Sequence, residues 1–599
     1  VIEMELREDI GPFRRRTAAL FFLMFGVLGL LHLRVADLQL VHGQGWRDLA
    51  ENNRLRRLPL PGLRGWIYDR RGNVLAENRP SWELLLFPDD AQDIQTTASF
   101  IARLGISDEK TFHQSLADRR IGRMAPLVVG EDLSWEQVAA VRSHLSDHPE
   151  LTVVSRFRRH YPYGELAAHV VGHLRPISKA AVEADPNLEP DTMIGATGIE
   201  ATNETFIAGT SGERWLMVSA VGRQLGVVNE VSPRPGNDLG TTLDIELQAV
   251  AAEALGERAG AVVALDPRSG AVRVLYSAPN FDPDVFGGRL SPGEWAALQE
   301  DPLHPLQNRC LQGVYPPGST IKPFLALAGL AEGEIDPGTT VYCNGSVILY
   351  GHRFRCWRRG GHGFVDLQRS LAESCDIYYY QLGRRLGIEK MAAWFHRFGF
   401  GERTGLDLSF ENSGLIGTPE WSRRVRGTPW YPGEAVSVSI GQGPVLATVV
   451  QLARGFALLA NGGRLVSPHL VASAPVVAGE SIVNPQHLAL VTAALEDVVH
   501  GPAGTARRLG RLPIAGKTGT AQVARLQEGV DPEDLAPELR HHAWFVGWAP
   551  LDTPELVVSA IVEHGGDGGS AAGPVVGRVI EAYLDQQSHG TATTPEVDM

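Results

Sequence analysis

Ser319 and Lys322 stand three residues apart in the run Tyr315-Pro316-Pro317-Gly318-Ser319-Thr320-Ile321-Lys322-Pro323. Two prolines and a glycine predict a tight loop, and the apolar residues 324–330 predict a helix directly behind it. That puts Ser319 at or near a helix N-terminus, with Lys322 on the same face of the first turn. A serine hydroxyl is a weak nucleophile until a neighbour takes its proton. A lysine in a partly dry pocket has its pKa lowered enough to act as that neighbour. The free N–H groups of a helix N-terminus offer a place for an oxyanion. On its own the pair proves little: a Ser-x-x-Lys occurs about once by chance in a chain of ordinary composition and this length, and a plain capped helix would carry it equally well.

Two further short motifs bear on the same chemistry. Lys517-Thr518-Gly519-Thr520 follows the turn-forming Gly501-Pro502-Ala503-Gly504 and an apolar lead-in at 512–515. Thr and Gly on a strand edge leave the backbone free to pair with an extended peptide, and Lys517 and Thr518 suit a terminal carboxylate. The bland alternative is an ordinary edge strand. Ser374-Cys375-Asp376 precedes Ile377-Tyr378-Tyr379-Tyr380 and places a hydroxyl and a carboxylate two residues apart.

Three of the four cysteines, Cys343, Cys356 and Cys375, fall in one window with His362 between them, as Cys-x12-Cys-x5-His-x12-Cys. Three thiolates and an imidazole match a closed tetrahedral zinc site by ligand type, although the spacings exceed those of zinc fingers. Gly351, Gly360, Gly361 and Gly363 let the chain fold around an ion. A Cys343–Cys356 disulfide and unlinked thiols are the competing readings. Cys310 reads as a buried thiol near the nucleophile loop.

The elements that must carry these residues belong to a chain of 599 residues, 44% hydrophobic and 21% charged, with net charge −14. Core material is ample, and the acidity argues against nucleic-acid binding. Arg14-Arg15-Arg16 precedes an uncharged apolar stretch at 17–33 that continues to 41 past Arg34. Its length suits one bilayer crossing, the basic cluster predicts a cytoplasmic N-terminus, and the missing small-x-small cleavage site favours an anchor over a cleaved signal. Residues 45–236 read as a loop-rich α/β region. A second domain is expected over 237–587: a strand at 239–244, a helix at 245–258, an apolar pair at 261–265 and 271–277 around a Pro/Gly turn, and another at 543–548 and 556–563. Strands at both ends with helices between them predict one sheet covered by helices. Residues 588–599 are polar and expected to be disordered.

The order Ser-x-x-Lys, Ser-x-Asp about 55 residues later and Lys-Thr-Gly about 140 beyond that resembles the penicilloyl-serine transferases. Trp430-Tyr431-Pro432-Gly433-Glu434, Ile440-Gly441-Gln442-Gly443 and His542-Ala543-Trp544-Phe545 narrow the likeness to the elongation-type class B penicillin-binding proteins. Arg64-Gly65-Trp66-Ile67-Tyr68-Asp69-Arg70-Arg71-Gly72 and Gly195-Ala196-Thr197-Gly198-Ile199-Glu200 resemble motifs of that family's pedestal.

The resemblance implies an α+β chain: cytoplasmic residues 1–16, a transmembrane helix at 17–41, a dimerisation-type pedestal at 45–236, and a transpeptidase domain at 237–587 whose antiparallel sheet is flanked by helices. It implies a D,D-transpeptidase of the bacterial inner membrane that cross-links peptidoglycan stem peptides in the periplasm and is acylated by β-lactams. Ser319 would be the nucleophile, Lys322 the base and Ser374 a proton relay. Lys517 and Thr518 would hold the carboxylate, and the Ser319 and Thr520 N–H groups would form the oxyanion hole, with Gly519 between them on the strand. Asp376 departs from the Asn usual in the broad family and agrees with the elongation type. Some relatives also resemble this chain in carrying zinc between the first two motifs, where an ion would brace the Ser374 loop. Class A glycosyltransferase signatures are absent, so polymerisation would fall to a RodA-type partner of the elongation machinery. The rival readings are a carboxypeptidase or β-lactamase, a β-lactam sensor, and a division-type relative.

Overall fold

The computed structural model describes residues 11–42, 55–88, 93–117, 127–178, 192–218, 224–288, 292–474, 478–523 and 536–590, with residues 91, 180, 290 and 476. The apolar N-terminal stretch forms one helix, Gly11–Ala36, prolonged by a π-helical turn Asp37–Val41. Over Arg16–Leu40 it is long and apolar enough to cross a membrane, and side chains such as Phe22 and Leu33 are exposed along it. At its end the Arg34 guanidinium pairs with Asp37 at 2.7 Å.

The chain divides into two compact units, Val1–Leu63 with Gly209–Gly236 and Arg64–Ala208 with Asn237–Met599. The first holds a three-stranded antiparallel sheet of Leu55–Leu60, Gly212–Val218 and Gln224–Val231.

The second unit opens with a sheet built on the long strand Val74–Leu86, which pairs with Ile67–Tyr68, Leu127–Gly130 and Leu151–His160. Helices Ile94–Arg103 and Trp135–Ser143 close a small core around Leu84, Phe100, Ile101 and Val138. A reciprocal cap between Ser134 and Gln137 starts the second helix. Arg64 bridges Glu200 and Glu204 at 2.6 and 2.7 Å, and Arg159 reaches the other oxygen of Glu200. The motifs at 64–72 and 195–200 are thereby joined through one buried ion-pair network.

The larger sheet has five antiparallel strands in the order Val272–Ala278, Gly260–Leu265, Leu556–Val562, His542–Ala549, Ala515–Ala521. Its inner strands are continuous runs of buried residues because helices cover both faces. Ile245–Leu255 and Gly568–Gly590 pack on each other and on the sheet. Val449–Ala460 also lies on the sheet, and its Phe456 meets Phe324 of the helix Lys322–Ala331, ring centroids 5.7 Å apart. The helix behind Ser319 is thus tied to the sheet through one intervening helix. Ala515–Ala521, the strand with Lys-Thr-Gly, closes the sheet as its edge strand.

Two details differ from the sequence reading. The strand expected at 239–244 is only Leu239–Gly240. Beyond it the backbone N–H groups of Thr241, Thr242 and Asp244 donate to Tyr68, Leu470 and Arg273 in turn, so the partner changes from residue to residue and no continuous ladder forms, while Asp244 caps the following helix. The expected polar tail begins inside a helix, which runs to Gly590; residues 591–599 lie outside the described residues.

Candidate active site

The nucleophile loop forms a 3-10 turn, Gly318–Ile321, that runs straight into Lys322–Ala331. The Lys322 backbone N–H donates to the Ser319 carbonyl, which closes the turn. Side chains three apart eclipse in a 3-10 turn, so Ser319 and Lys322 leave on one side of it. Gly318 has φ +55°, and a Cβ there would sit 2.7 Å from the Thr520 carbonyl oxygen. No other residue lets the turn press against the Lys-Thr-Gly strand in this way. From the other side the Gly318 N–H donates to the Gly441 carbonyl at 2.9 Å.

Lys322 is completely buried. Its Nζ donates to Asp376 Oδ1 at 2.7 Å, to the Ser374 carbonyl at 2.9 Å and to Ser374 Oγ at 3.3 Å, and lies 5.4 Å from the centre of the Tyr379 ring. Ser374 has φ +55°, a left-handed conformation uncommon for a residue with a side chain. It links the short helix Leu367–Ala372 to Asp376–Arg397 and is held there because its N–H donates to Leu371 O and the Cys375 N–H to Ser370 O. That backbone strain turns the Ser374 carbonyl and hydroxyl together toward the lysine. Asp376 begins the second helix. Its Oδ2 accepts the Trp357 backbone N–H at 2.9 Å. Burial pushes the Asp376 carboxyl up, against the opposing pull of Lys322.

Lys517, also 0% exposed, donates to the Thr518 carbonyl at 3.2 Å. Burial, reinforced by the Lys322 charge, holds it well below the ordinary ammonium range. The Thr518 hydroxyl is 2.7 Å from Thr505 Oγ1. Gly519 faces the nucleophile turn closely enough that a Cβ would meet Thr320 Cγ2 at 2.8 Å and the Pro317 carbonyl at 3.0 Å. The Thr520 carbonyl accepts from Gln442 Nε2 at 3.0 Å. The three motifs therefore converge: the Ser319 turn lies on the strand of Lys517, Thr518, Gly519 and Thr520, and Lys322 reaches Ser374 and Asp376.

Three residues with a place in this cluster had drawn no role from the sequence. Thr505, Gln442 and Trp357 act on it through a hydroxyl, an amide and a backbone N–H across 13, 78 and 19 positions. Only Gln442 stood within a run singled out beforehand, and spacing offers no signal for the other two.

The cysteine cluster adjoins the same loop. Ligand atoms of Cys343, Cys356, His362 and Cys375, all buried, lie within 4.8 Å of one another, and the structure joins no cysteine in a disulfide. His362 Nδ1 is 3.5 Å from both Cys343 Sγ and Cys356 Sγ. A tetrahedral zinc with ordinary bond lengths needs a nitrogen–sulfur edge of roughly 3.5 Å, so the donor set fits that ion in type, number and spacing. The Cys375 thiol, then His362, stabilise charge on Cys356, which is held well below the usual thiol range. The strands Val341–Cys343 and Gly363–Val365 pair beside the cluster, and the Arg369 guanidinium donates to the Phe364 and His362 carbonyls.

Residues 260–581 match the family described as the penicillin binding protein transpeptidase domain, and residues 59–241 match the penicillin-binding protein dimerisation domain. The peptidoglycan D,D-transpeptidase MrdA of Haemophilus influenzae is 34% identical, over 96% of this chain and 92% of its own length. Among solved structures, penicillin-binding protein 2 of Helicobacter pylori, in complex with MreC, aligns with a TM-score of 0.79 at 27% identity, covering 89% of this chain and 99% of that one. A chain from a peptidoglycan synthase complex that coordinates polymerization and crosslinking aligns with a TM-score of 0.70 at 32% identity, covering 98% and 100%.

Proposed function

Because this chain belongs to the penicillin-binding protein transpeptidases of the MrdA, or penicillin-binding protein 2, kind and is a peptidoglycan D,D-transpeptidase, we propose that Ser319 is its acylated nucleophile and Lys322 the base that activates it. The observation that carries this reading is the buried Lys322 amine, bonded to Ser374 and Asp376 and three residues along from Ser319 on a turn that presses against the Lys-Thr-Gly strand.

Ser319 Oγ attacks the carbonyl of the penultimate D-Ala, and its proton passes to Lys322. The tetrahedral oxyanion sits between the N–H groups of Ser319 and Thr520. As the C–N bond breaks, the proton returns by way of Ser374 to the departing amine of the terminal D-Ala. An amine of a neighbouring stem then attacks the ester, loses a proton along the same route and restores the Ser319 hydroxyl. Lys517 has no exposed surface, so the terminal carboxylate meets Thr518 first, with Lys517 acting on it through space. A β-lactam acylates the same serine.

Cys343, Cys356, His362 and Cys375 would hold one Zn2+, which would supply no chemistry and would clamp the Cys375 backbone. That clamp supports the strained Ser374 and the start of the helix with Asp376.

The single N-terminal apolar helix serves as a membrane anchor in this reading, with the N-terminus in the cytoplasm and the catalytic residues in the periplasm. The dimerisation-type pedestal spans 45–236 and the transpeptidase domain 237–587. A RodA-type glycosyltransferase would make the strands that this enzyme joins. The relatives solved with MreC and in a peptidoglycan synthase complex support a place in an elongation assembly.

Incubation with a labelled penicillin followed by peptide mapping tests the assignment. Label on Ser319, and none in Ser319→Ala, is the expected result; label on any other residue overturns it.

A further inference from the structure

The chain carries net charge −14, yet from Gly338 to Val365 it contains no Asp or Glu and four arginines. This stretch includes the hairpin Ser346–Leu349 and His352–Arg355, whose base is fastened to the active site. Phe354 packs on Tyr380 with ring centroids 5.3 Å apart, the Tyr380 hydroxyl donates to the Arg355 carbonyl, and the Trp357 N–H holds Asp376. Arg353 and Arg359 are exposed and, among the described residues, form no ion pair. Tyr350 at the hairpin tip is 52% exposed and Trp357 is 59% exposed.

A second exposed basic and aromatic segment meets the hairpin. Gly433 lies 3.7 Å, measured from a Cβ, from the Phe354 ring, and just before it come Tyr431, 60% exposed, and the exposed Arg424. The helix Pro432–Val438 leads on to Gly441, which accepts the Gly318 N–H beside the nucleophile. Both segments therefore border the catalytic cleft and combine guanidinium groups that form no ion pair among the described residues with open ring faces.

Guanidinium groups pair with carboxylates in fixed fork geometry, and exposed aromatic rings offer flat apolar faces to sugar rings. Resting on the transpeptidase reading above, we propose that the 346–359 hairpin and the 424–431 segment form a docking site for a peptidoglycan strand outside the cleft, which binds stem-peptide carboxylates through Arg353 and Arg359 and sugar rings on Tyr350 and Tyr431. Charge complementarity selects this occupant: an otherwise acidic enzyme places an acid-free basic stretch beside the cleft used by an acidic polymer. Such a site raises the local concentration of strand at the acyl-enzyme without touching the reacting atoms.

The test uses the full chain in detergent, wild type and the double variant Arg353→Glu/Arg359→Glu, with Arg353→Gln/Arg359→Gln as a milder second. Binding is measured to soluble uncross-linked glycan strands bearing stem peptides and to the same strands stripped of peptides. Labelled-penicillin acylation of Ser319 is measured in parallel. The expected result is unchanged acylation, stem-bearing strands bound about tenfold more weakly by the charge-reversed enzyme, and a wild-type preference for stem-bearing strands that fades with salt. Wild-type strand binding by both variants overturns the docking site, as does equal binding of stripped strands or a loss seen only when an acidic partner protein is added. A wild-type enzyme that binds strands but is not labelled at Ser319 would instead sink the catalytic assignment and leave the docking site standing. If charge reversal abolishes acylation, the glutamine variant decides.

Discussion

Asp376 uses both carboxylate oxygens as acceptors: Oδ1 accepts from Lys322 Nζ at 2.7 Å and Oδ2 accepts the Trp357 backbone N–H at 2.9 Å. Both of its partners are donors, and this explains the aspartate. An asparagine has one acceptor oxygen and one NH2, so it cannot satisfy both. Whichever way its amide turns, one of the two buried donors loses its acceptor.

Asp376→Asn is therefore expected to impair this enzyme, although Asn is the commoner residue across the wider family. The lost partner costs about 1–3 kcal/mol, so penicillin acylation should slow by roughly tenfold or more. Asp376→Ala, which leaves Lys322 buried without a counter-charge, should also lower the thermal midpoint. Acylation of the Asn variant at the wild-type rate would show that the Trp357 contact has no bearing on Lys322.

Thr505 reaches the substrate-binding strand through one contact, its hydroxyl 2.7 Å from that of Thr518, while its N–H donates to Ala372 O at 3.3 Å. It thus orients the hydroxyl that meets the terminal carboxylate and ties that strand to the helix leading into Ser374. Thr505→Val keeps the shape and removes the hydrogen bond. The expected loss is about 1 kcal/mol, seen as a several-fold rise in KM for a D-Ala-D-Ala peptide with kcat little changed. A fall in kcat at constant KM would assign Thr505 to the chemistry instead of to binding.

The cysteine cluster makes a separate prediction. Purified wild-type enzyme should contain close to one zinc per chain, and Cys356→Ser should lose most of it because three donors remain. Since Cys375 adjoins Ser374 and Asp376, metal loss should slow acylation and lower the thermal midpoint together, and zinc should restore both in chelator-treated wild type but not in the variant. Metal-free, fully active wild type would end the zinc assignment.

The parts of the site that were legible in the sequence are those whose geometry is local. Ser319 and Lys322 share a turn, Ser374 and Asp376 flank one helix start, and Cys343, Cys356 and Cys375 with His362 lie in one short stretch. The apolar runs around the Pro/Gly turns likewise became the central strands, because hydrophobic continuity is itself the signal for a sheet covered on both faces. What could not be read were contacts made by backbone atoms or by single hydroxyls between distant segments. Trp357 acts through its N–H, which every residue but proline has. Thr505 is one threonine among many, distinguished only by where Thr518 ends up. The strand expected at 239–244 stopped short for a related reason: the backbone of Thr241, Thr242 and Asp244 bonds to three different segments, at Tyr68, Leu470 and Arg273, which apolar patterning does not reveal.

His169 links the pedestal's chemistry to pH. It is buried against Phe281, ring centroids 5.2 Å apart, with Nε2 lacking a hydrogen-bond partner among the described residues. Burial lowers its pKa from 6.5 to about 3. The folded state therefore binds fewer protons than the unfolded chain between those values, and stability must rise with pH across that window. The stabilisation is complete above about pH 6.5 and is lost as pH falls, by about 2 kcal/mol at pH 5. His169→Phe replaces the ring with one that does not titrate, so its thermal midpoint should change less between pH 7 and pH 5 than that of wild type, whatever its absolute value at pH 7. Parallel pH profiles for the two proteins would mean that His169 is protonated inside the fold or that the acid sensitivity arises elsewhere.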